Sequence, residues 1–288
     1  MAQNEKKPRT YRGVRDEIRQ QHMKAKDMTF KERLAYFWYY YKVHTLVLIC
    51  AVFAIVALIH DVAASKDYIF NGLMLNSYQL PSDELSAAFA EYADLDLETY
   101  DCFIDTSTSL SLRSMGQYDA VAVQKILATI QTGDLDAVVY DSEVFNNYSN
   151  HEMFLDLRTV FTQQELSQYD GYLYYIDYAQ VLKMQEEEAD YELEALSDNR
   201  PSEAELDKAL AEETERHRHP ENMENPIPVG VILKDSPFAV KTGSYPQKVP
   251  VFGIIATSHR TDVGKKYLEF LWDETIDFSQ IADAATAY

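Results

Sequence analysis

The chain has 288 residues, 47 of them acidic and 26 basic, for a formal net charge of −21 at pH 7, and it has two cysteines. This balance excludes nucleic acid as a partner of the main body, because a phosphate backbone needs a basic surface. Two cysteines exclude a disulfide-stapled scaffold, so the chain must be held by its own core, and it is long enough to build one.

The charge is unevenly divided. Residues 1–43 carry 11 Lys and Arg against 5 Asp and Glu, whereas residues 44–288 have a net charge of −27. Residues 1–28 have no apolar stripe and read as a disordered basic tail or a loose helix on anionic lipid. Thr29-Phe30-Lys31-Glu32 forms a capping box. The helix it opens carries Leu34, Phe37 and Trp38, which suits an interfacial helix that binds a membrane partner, or a plain entry into the bilayer. Thr45 to Ile59 then runs TLVLICAVFAIVALI without a charge. At ~1.5 Å per residue this run covers only part of a ~30 Å hydrocarbon core. Trp38, Tyr39, Tyr40 and Tyr41 add an aromatic belt, Lys42 can snorkel, and Val62, Ala63 and Ala64 extend the far side. The sequence therefore predicts a tail over 1–37, a single transmembrane helix over 38–64 and an extracytoplasmic domain over 65–288. The basic flank keeps the N-terminus cytoplasmic. The basic region is far longer than the n-region of a cleaved signal, so an uncleaved signal-anchor in the cell membrane is expected, with the lipid bilayer as first partner. A buried helix of a soluble protein and a cleaved signal are the alternatives. Cys50 in the span and Cys102 in the domain are not expected to pair, and this scarcity fits a bacterial exported protein.

Strand and helix patterns alternate in the domain. Tyr68–Asn76 reads as a buried strand and Pro81–Leu95 as a helix with Leu85, Ala88, Phe89 and Tyr92 on one face. Tyr100–Asp105 is a second strand, Tyr118–Thr132 a helix, and Asp136–Tyr140 a short continuous apolar strand. Thr162–Tyr169 is a short helix, and Tyr172–Ile176 a strand whose tyrosines suggest a solvated edge. Residues 183–226 break the rhythm: Glu186 to Asn225 holds fifteen acidic and four basic residues. Ser202-Glu203-Ala204-Glu205 caps a polar helix running toward Arg216, so this stretch reads as an acidic insertion of two helices joined near Asn199-Arg200-Pro201. Strands resume at Ile227–Leu233 and Val249–Ala256, and Asp262–Trp272 is an amphipathic helix. The alternation predicts an α/β domain with a largely parallel sheet.

Three stretches carry a further signal. Gln124-Lys125-Ile126 through Gly133-Asp134-Leu135-Asp136-Ala137-Val138-Val139 is a helix, a G-D-x-D turn and a buried strand. Phe154-Leu155-Asp156-Leu157 follows as a turn, and Val251 to Ala256, a polar loop and Tyr267-Leu268-Glu269-Phe270-Leu271 close the set. Together they resemble extracytoplasmic solute-binding proteins of the type 2 periplasmic-binding-like family. The resemblance implies a periplasmic-binding-protein-like domain, here one full lobe plus a reduced second lobe. It also implies non-enzymatic recognition of a small molecule or peptide in a cleft at the carboxyl ends of the parallel strands. On this chain those ends are Asn76 and Ser77, Asp105 and Thr106, Asp141 and Ser142, and Thr257 and Ser258, with Tyr140, Tyr172, Tyr174 and Tyr175 as walls. Strand ends also need such residues for their turns. Family members are usually longer and carry no internal span. The alternative is a ligand-free interaction protein of a membrane complex, contacting membrane-protein partners through the insertion and the Thr29 helix.

Chemical motifs are sparse. There is no glycine-rich phosphate loop, no G-x-S-x-G elbow and no H-E-x-x-H helix, so neither a cofactor nor an enzyme is expected, with an uncharacterised hydrolase as the residual catalytic option. His217-Arg218-His219 is flanked by cations and reads as a solvated helix end rather than a metal site. Asp94/Asp96 and Asp134/Asp136 do not match a calcium loop.

Overall fold

The computed structural model describes residues 29–64, 66–149, 151–188 and 202–284. The tail at 1–28 and the joint at Asn199-Arg200-Pro201 lie outside the described residues. The chain divides into two compact units, Met1–Ser65 and Lys66–Tyr288.

The first unit contains one helix, α1 (Phe30–Ala64). The Glu32 carboxylate accepts hydrogen bonds from the Thr29 backbone nitrogen and hydroxyl, both at 2.8 Å, which starts the helix where the capping box predicts. No break separates the entry segment from the apolar run. They form one rod of 35 residues, ~52 Å long at the helical rise. Within it, Tyr41–His60 has a mean hydropathy of 2.5 and is long and apolar enough to cross a membrane.

The second unit is a mixed α/β fold around one six-stranded sheet. In chain order its elements are β1 (Tyr68–Met74), α2 (Ser82–Tyr92), β2 (Asp101–Asp105), α3 (Gln117–Gln131), β3 (Ala137–Asp141), α4 (Ser142–Ser149), α5 (Gln163–Leu166), β4 (Leu173–Asp177), α6 (Tyr178–Glu188), α7 (Glu203–Arg216), β5 (Pro226–Ile232), α8 (Pro237–Thr242), β6 (Pro250–Ile254), α9 (Thr261–Trp272) and α10 (Phe278–Ala284). The strand order is β2-β1-β3-β6-β5-β4. β1 pairs in parallel with both β2 and β3, but β6 runs antiparallel to β3 and β5, and β4 antiparallel to β5. The expectation of a largely parallel sheet is therefore corrected to a mixed one. Among the described residues there is no second sheet on which the expected reduced second lobe could be built.

Apolar side chains fill both faces of the sheet, as the continuous strand Ala137–Asp141 requires. On one face α2 and α9 pack Phe89, Tyr267 and Phe270 against Phe70 and Phe252, with ring centroids 4.8 Å apart for Phe70–Phe89 and 4.9 Å for Phe70–Tyr267. On the other, Ile126 of α3 and Phe145 of α4 join Leu73, Val138, Tyr140, Phe154 and Tyr174. Phe145 stacks on Phe154 at 4.1 Å and 3° between ring planes. Gly230 and Gly253 leave room for this pair. A Cβ on Gly253 would lie 2.8 Å from Phe145, and one on Gly230 would lie 2.6 Å from Phe145 and 2.7 Å from the Phe252 carbonyl.

Both sheet edges are plugged by side chains, which limits strand addition. At β2, Ser86 Oγ accepts from Ile104 N at 2.9 Å and Ser82 Oγ from Thr106 N at 3.0 Å. At β4, His217 binds Tyr175 twice: Tyr175 N donates to the His217 carbonyl at 2.7 Å, and His217 Nδ1 lies 2.5 Å from the Tyr175 carbonyl. The imidazole also stacks on Tyr174 at 4.3 Å. β4 is thus the expected edge, but it is held by the chain just past α7 rather than left wet.

Burial pushes the His217 pKa below its ordinary value; the bond to Tyr175 and the charge of Glu213 pull it up only in part. The unfolded chain takes up this proton first, as pH falls below about 6.5. The contribution to stability is therefore full above ~6.5 and is lost on acidification through the folded-state value. Between about pH 7 and about pH 5 the wild-type melting temperature should fall more than that of His217→Gln. Parallel slopes for the two proteins would remove His217 from the acid sensitivity. His219, whose pKa is raised by Glu221 and Glu215, is common to both proteins and cancels in the comparison.

Candidate functional site

The parallel strands bring Asn76, Asp105 and Asp141 to one end of the sheet, and their side chains are consumed there in holding loops. Asn76 takes the left-handed conformation (φ 59°). Its amide donates to the Leu110 carbonyl at 2.9 Å and to Asp141, and its oxygen accepts from Leu110 N at 2.9 Å. Asp141 is buried and caps α4 through Glu143 N and Val144 N, with Lys248 Nζ at 3.0 Å. Asp105 accepts from Ser107 N, Ser107 Oγ, Thr108 Oγ1 and Lys125 Nζ, at 2.7 to 2.9 Å. Burial pushes the Asp105 pKa up, but Lys125, Ser107 and Thr108 outweigh it and leave the carboxyl well below the usual range. Ser77 donates to the Thr106 carbonyl, and the Thr106 hydroxyl donates to the carbonyl of Leu80. Ser142 is buried, with its amide on the Val249 carbonyl.

The remaining expected residues lie elsewhere. Because β6 runs antiparallel, Thr257 and Ser258 fall at the opposite end of the sheet. There Thr257 bonds the Ile130 carbonyl and Ser258 donates to Asp136 at 2.6 Å. Tyr140 and Tyr174 are fully buried in the core, so neither forms a wall of a cleft. Tyr174 hydroxyl donates to Asn146 at 2.9 Å. Tyr172 packs edge-on against Trp272 at 4.9 Å.

Two cavities flank the loop after β2. A cavity of about 600 Å³ lies where Asp141 and Ser142 meet α7 of the acidic insertion. Most of its charged groups are paired: Arg113 bridges Glu143 at 2.8 Å and Asp207 at 2.7 Å, and Lys248 holds Asp141 at 3.0 Å. The larger groove, about 760 Å³, lies over β1 and β2 beside α3. Its floor follows from the parallel register, which sets Asn71 beside Phe103 and Leu73 beside Asp105 on one face. Ile126 and Leu135 complete the apolar part, and Lys66, Asp67, Tyr68 and Tyr100 line the end where the strands begin.

Three cations line this groove, and two are already matched to carboxylates. Lys125 holds Asp105 at 2.9 Å, and Arg260 holds the buried Asp136 at 2.9 Å. Lys66 donates to the Leu97 carbonyl at 2.7 Å and keeps two protons for other acceptors. The side chains of Asn71, Asp67, Asp134, Tyr68 and Tyr100 make no hydrogen bond among the described residues. Polar groups without internal partners beside an apolar floor are what a ligand site needs, and the strand-end residues lack that property. The groove escapes sequence reasoning because Asn71 sits inside an apolar strand and Tyr68 and Tyr100 read as strand starts.

No family model, curated protein or solved structure matches this chain.

Proposed function

We propose that residues 66–284 form an extracytoplasmic binding module, tethered to the membrane by α1 and resembling a reduced solute-binding protein. The observation that carries this reading is the 760 Å³ groove with its unpartnered polar side chains over an apolar floor. The tether is supported by the apolar segment Tyr41–His60, and the orientation by the basic excess of residues 1–43. Recognition is non-enzymatic, of a small molecule or a short peptide.

The test uses the full-length protein in a detergent without a sugar headgroup. Thermal unfolding is followed against libraries of sugars, amino acids and short peptides. A ligand at 100 times its Kd adds about 2.7 kcal/mol, so one class should raise the melting temperature by ~5–10 °C. A flat response across all three libraries would count against a binding role.

A second reading, a ligand-free assembly protein, draws support from the saturated hydrogen bonding of Asp105 and Asp141. The acidic insertion would then be the contact surface, and reversing exposed charges on α7, as in Glu203→Lys with Glu212→Lys, should change the set of co-purifying membrane proteins while the fold is kept. An unchanged set would sink that alternative.

A further inference from the structure

From the groove over β1 and β2 we infer that its ligand is a neutral, hydroxyl-rich molecule, an oligosaccharide segment rather than an ion or a charged peptide. This rests on the binding-module reading and adds the class of ligand.

Three features of the lining select that class. The first is charge. The body is strongly acidic, and once the pairs Lys125–Asp105 and Arg260–Asp136 are set aside the groove is left with Lys66 against Asp67 and Asp134, carboxylates that repel an anion and a lysine that opposes a cation. Lys125 and Arg260 are engaged by Asp105 and Asp136, so no cluster of free cations is left to draw an anion. The second is hydrogen bonding. Asp67 and Asp134 offer acceptors only, Lys66 offers donors only, and the Asn71 amide and the tyrosine hydroxyls offer both. A hydroxyl donates and accepts at once and can satisfy all of them. A carboxylate or ammonium ligand meets like charges somewhere along the groove. The third is the apolar surface. Tyr68 and Tyr100 are 41% and 40% exposed, and Phe103 shares the floor. Rings held at a groove wall supply large rigid contact area, and a pyranose presents a matching C–H face.

The experiment is calorimetric titration of the full-length protein, in a detergent without a sugar headgroup, with maltotetraose, cellotetraose and chitotetraose. Polygalacturonate fragments, amino acids and a mixed tetrapeptide library form the comparison set. At least one neutral tetrasaccharide should bind, and Asn71→Ala and Tyr100→Ala should each weaken it ~10-fold or more with an unchanged melting temperature. Binding of only anionic sugars, amino acids or peptides overturns the ligand class and leaves the binding module standing. No binding in any set overturns both. Binding of a neutral sugar that survives both substitutions overturns this groove as its site.

Discussion

Replacing Asp136 with alanine should cost about 3 kcal/mol and lower the melting temperature of the domain by ~6–12 °C. This carboxylate is fully buried at the start of β3. One oxygen accepts from Ser258 at 2.6 Å, the other from Asn71 N at 2.8 Å, and the Arg260 Nε reaches both at 2.9 Å. Its own backbone adds bonds to Asn71 and Ile255, so one residue joins β1, β3 and the end of β6. Removal leaves the Asn71 amide, the Ser258 hydroxyl and the Arg260 Nε without their acceptor, while Arg260 Nη2 keeps the Asp134 carbonyl at 3.0 Å. Because the Arg260 side chain is 26% exposed, water recovers part of the loss, which places the expectation at the low end for a broken buried pair. Thermal denaturation of Asp136→Ala, Arg260→Met and the double variant checks the account. The double variant should lose less than the sum of the two, and strict additivity would show that the pair does not act as a unit.

Phe145→Ala should cost ~3–5 kcal/mol, and Gly230→Ala ~1–3 kcal/mol or more. The phenyl ring is fully buried, stacked on Phe154 and set edge-on to Tyr174 at 4.9 Å. Its loss opens a cavity bounded by strands that cannot collapse. A methyl at Gly230 meets the same ring from below and also a carbonyl oxygen of the neighbouring strand, which cannot turn aside as a side chain can. At Gly253 the three nearest atoms are ring carbons of Phe145 and Phe154. Combining Phe145→Ala with Gly253→Ala should therefore recover stability relative to the sum, because the added methyl enters space the ring has vacated. Chemical denaturation of the singles and the double measures this. A double variant at or below the sum would mean that the ring is not what limits size at Gly253.

Much of the α/β layer is readable from the residues because local pattern and burial coincide. Ala137-Val138-Val139-Tyr140 is apolar throughout and lies between two strands, and the Ser202–Glu205 box opens α7 through bonds of 2.7 and 2.8 Å to the Glu205 carboxylate. The direction of β6 is not readable, since Val251-Phe252-Gly253-Ile254 has the same character run either way. That single reversal moves Thr257 and Ser258 to the far end of the sheet. The strand ends Asn76, Asp105 and Asp141 are readable as positions but not as engaged groups. Lys125 and Lys248, which neutralise the two carboxylates, come from 20 and 107 residues away. Tyr174 reads as solvated because tyrosine tolerates an edge, yet His217, from within the acidic segment, closes over it.

The position of β1 gives its link to α1 a mechanical consequence. Only residues 65–67 separate α1 from β1, and β1 lies inside the sheet, hydrogen-bonded on both sides. Tension drawn through α1 enters the fold at an inner strand, paired on both sides, whereas an outer strand is paired on one side only. Force applied through α1 thus meets the sheet at an inner strand rather than at its edge.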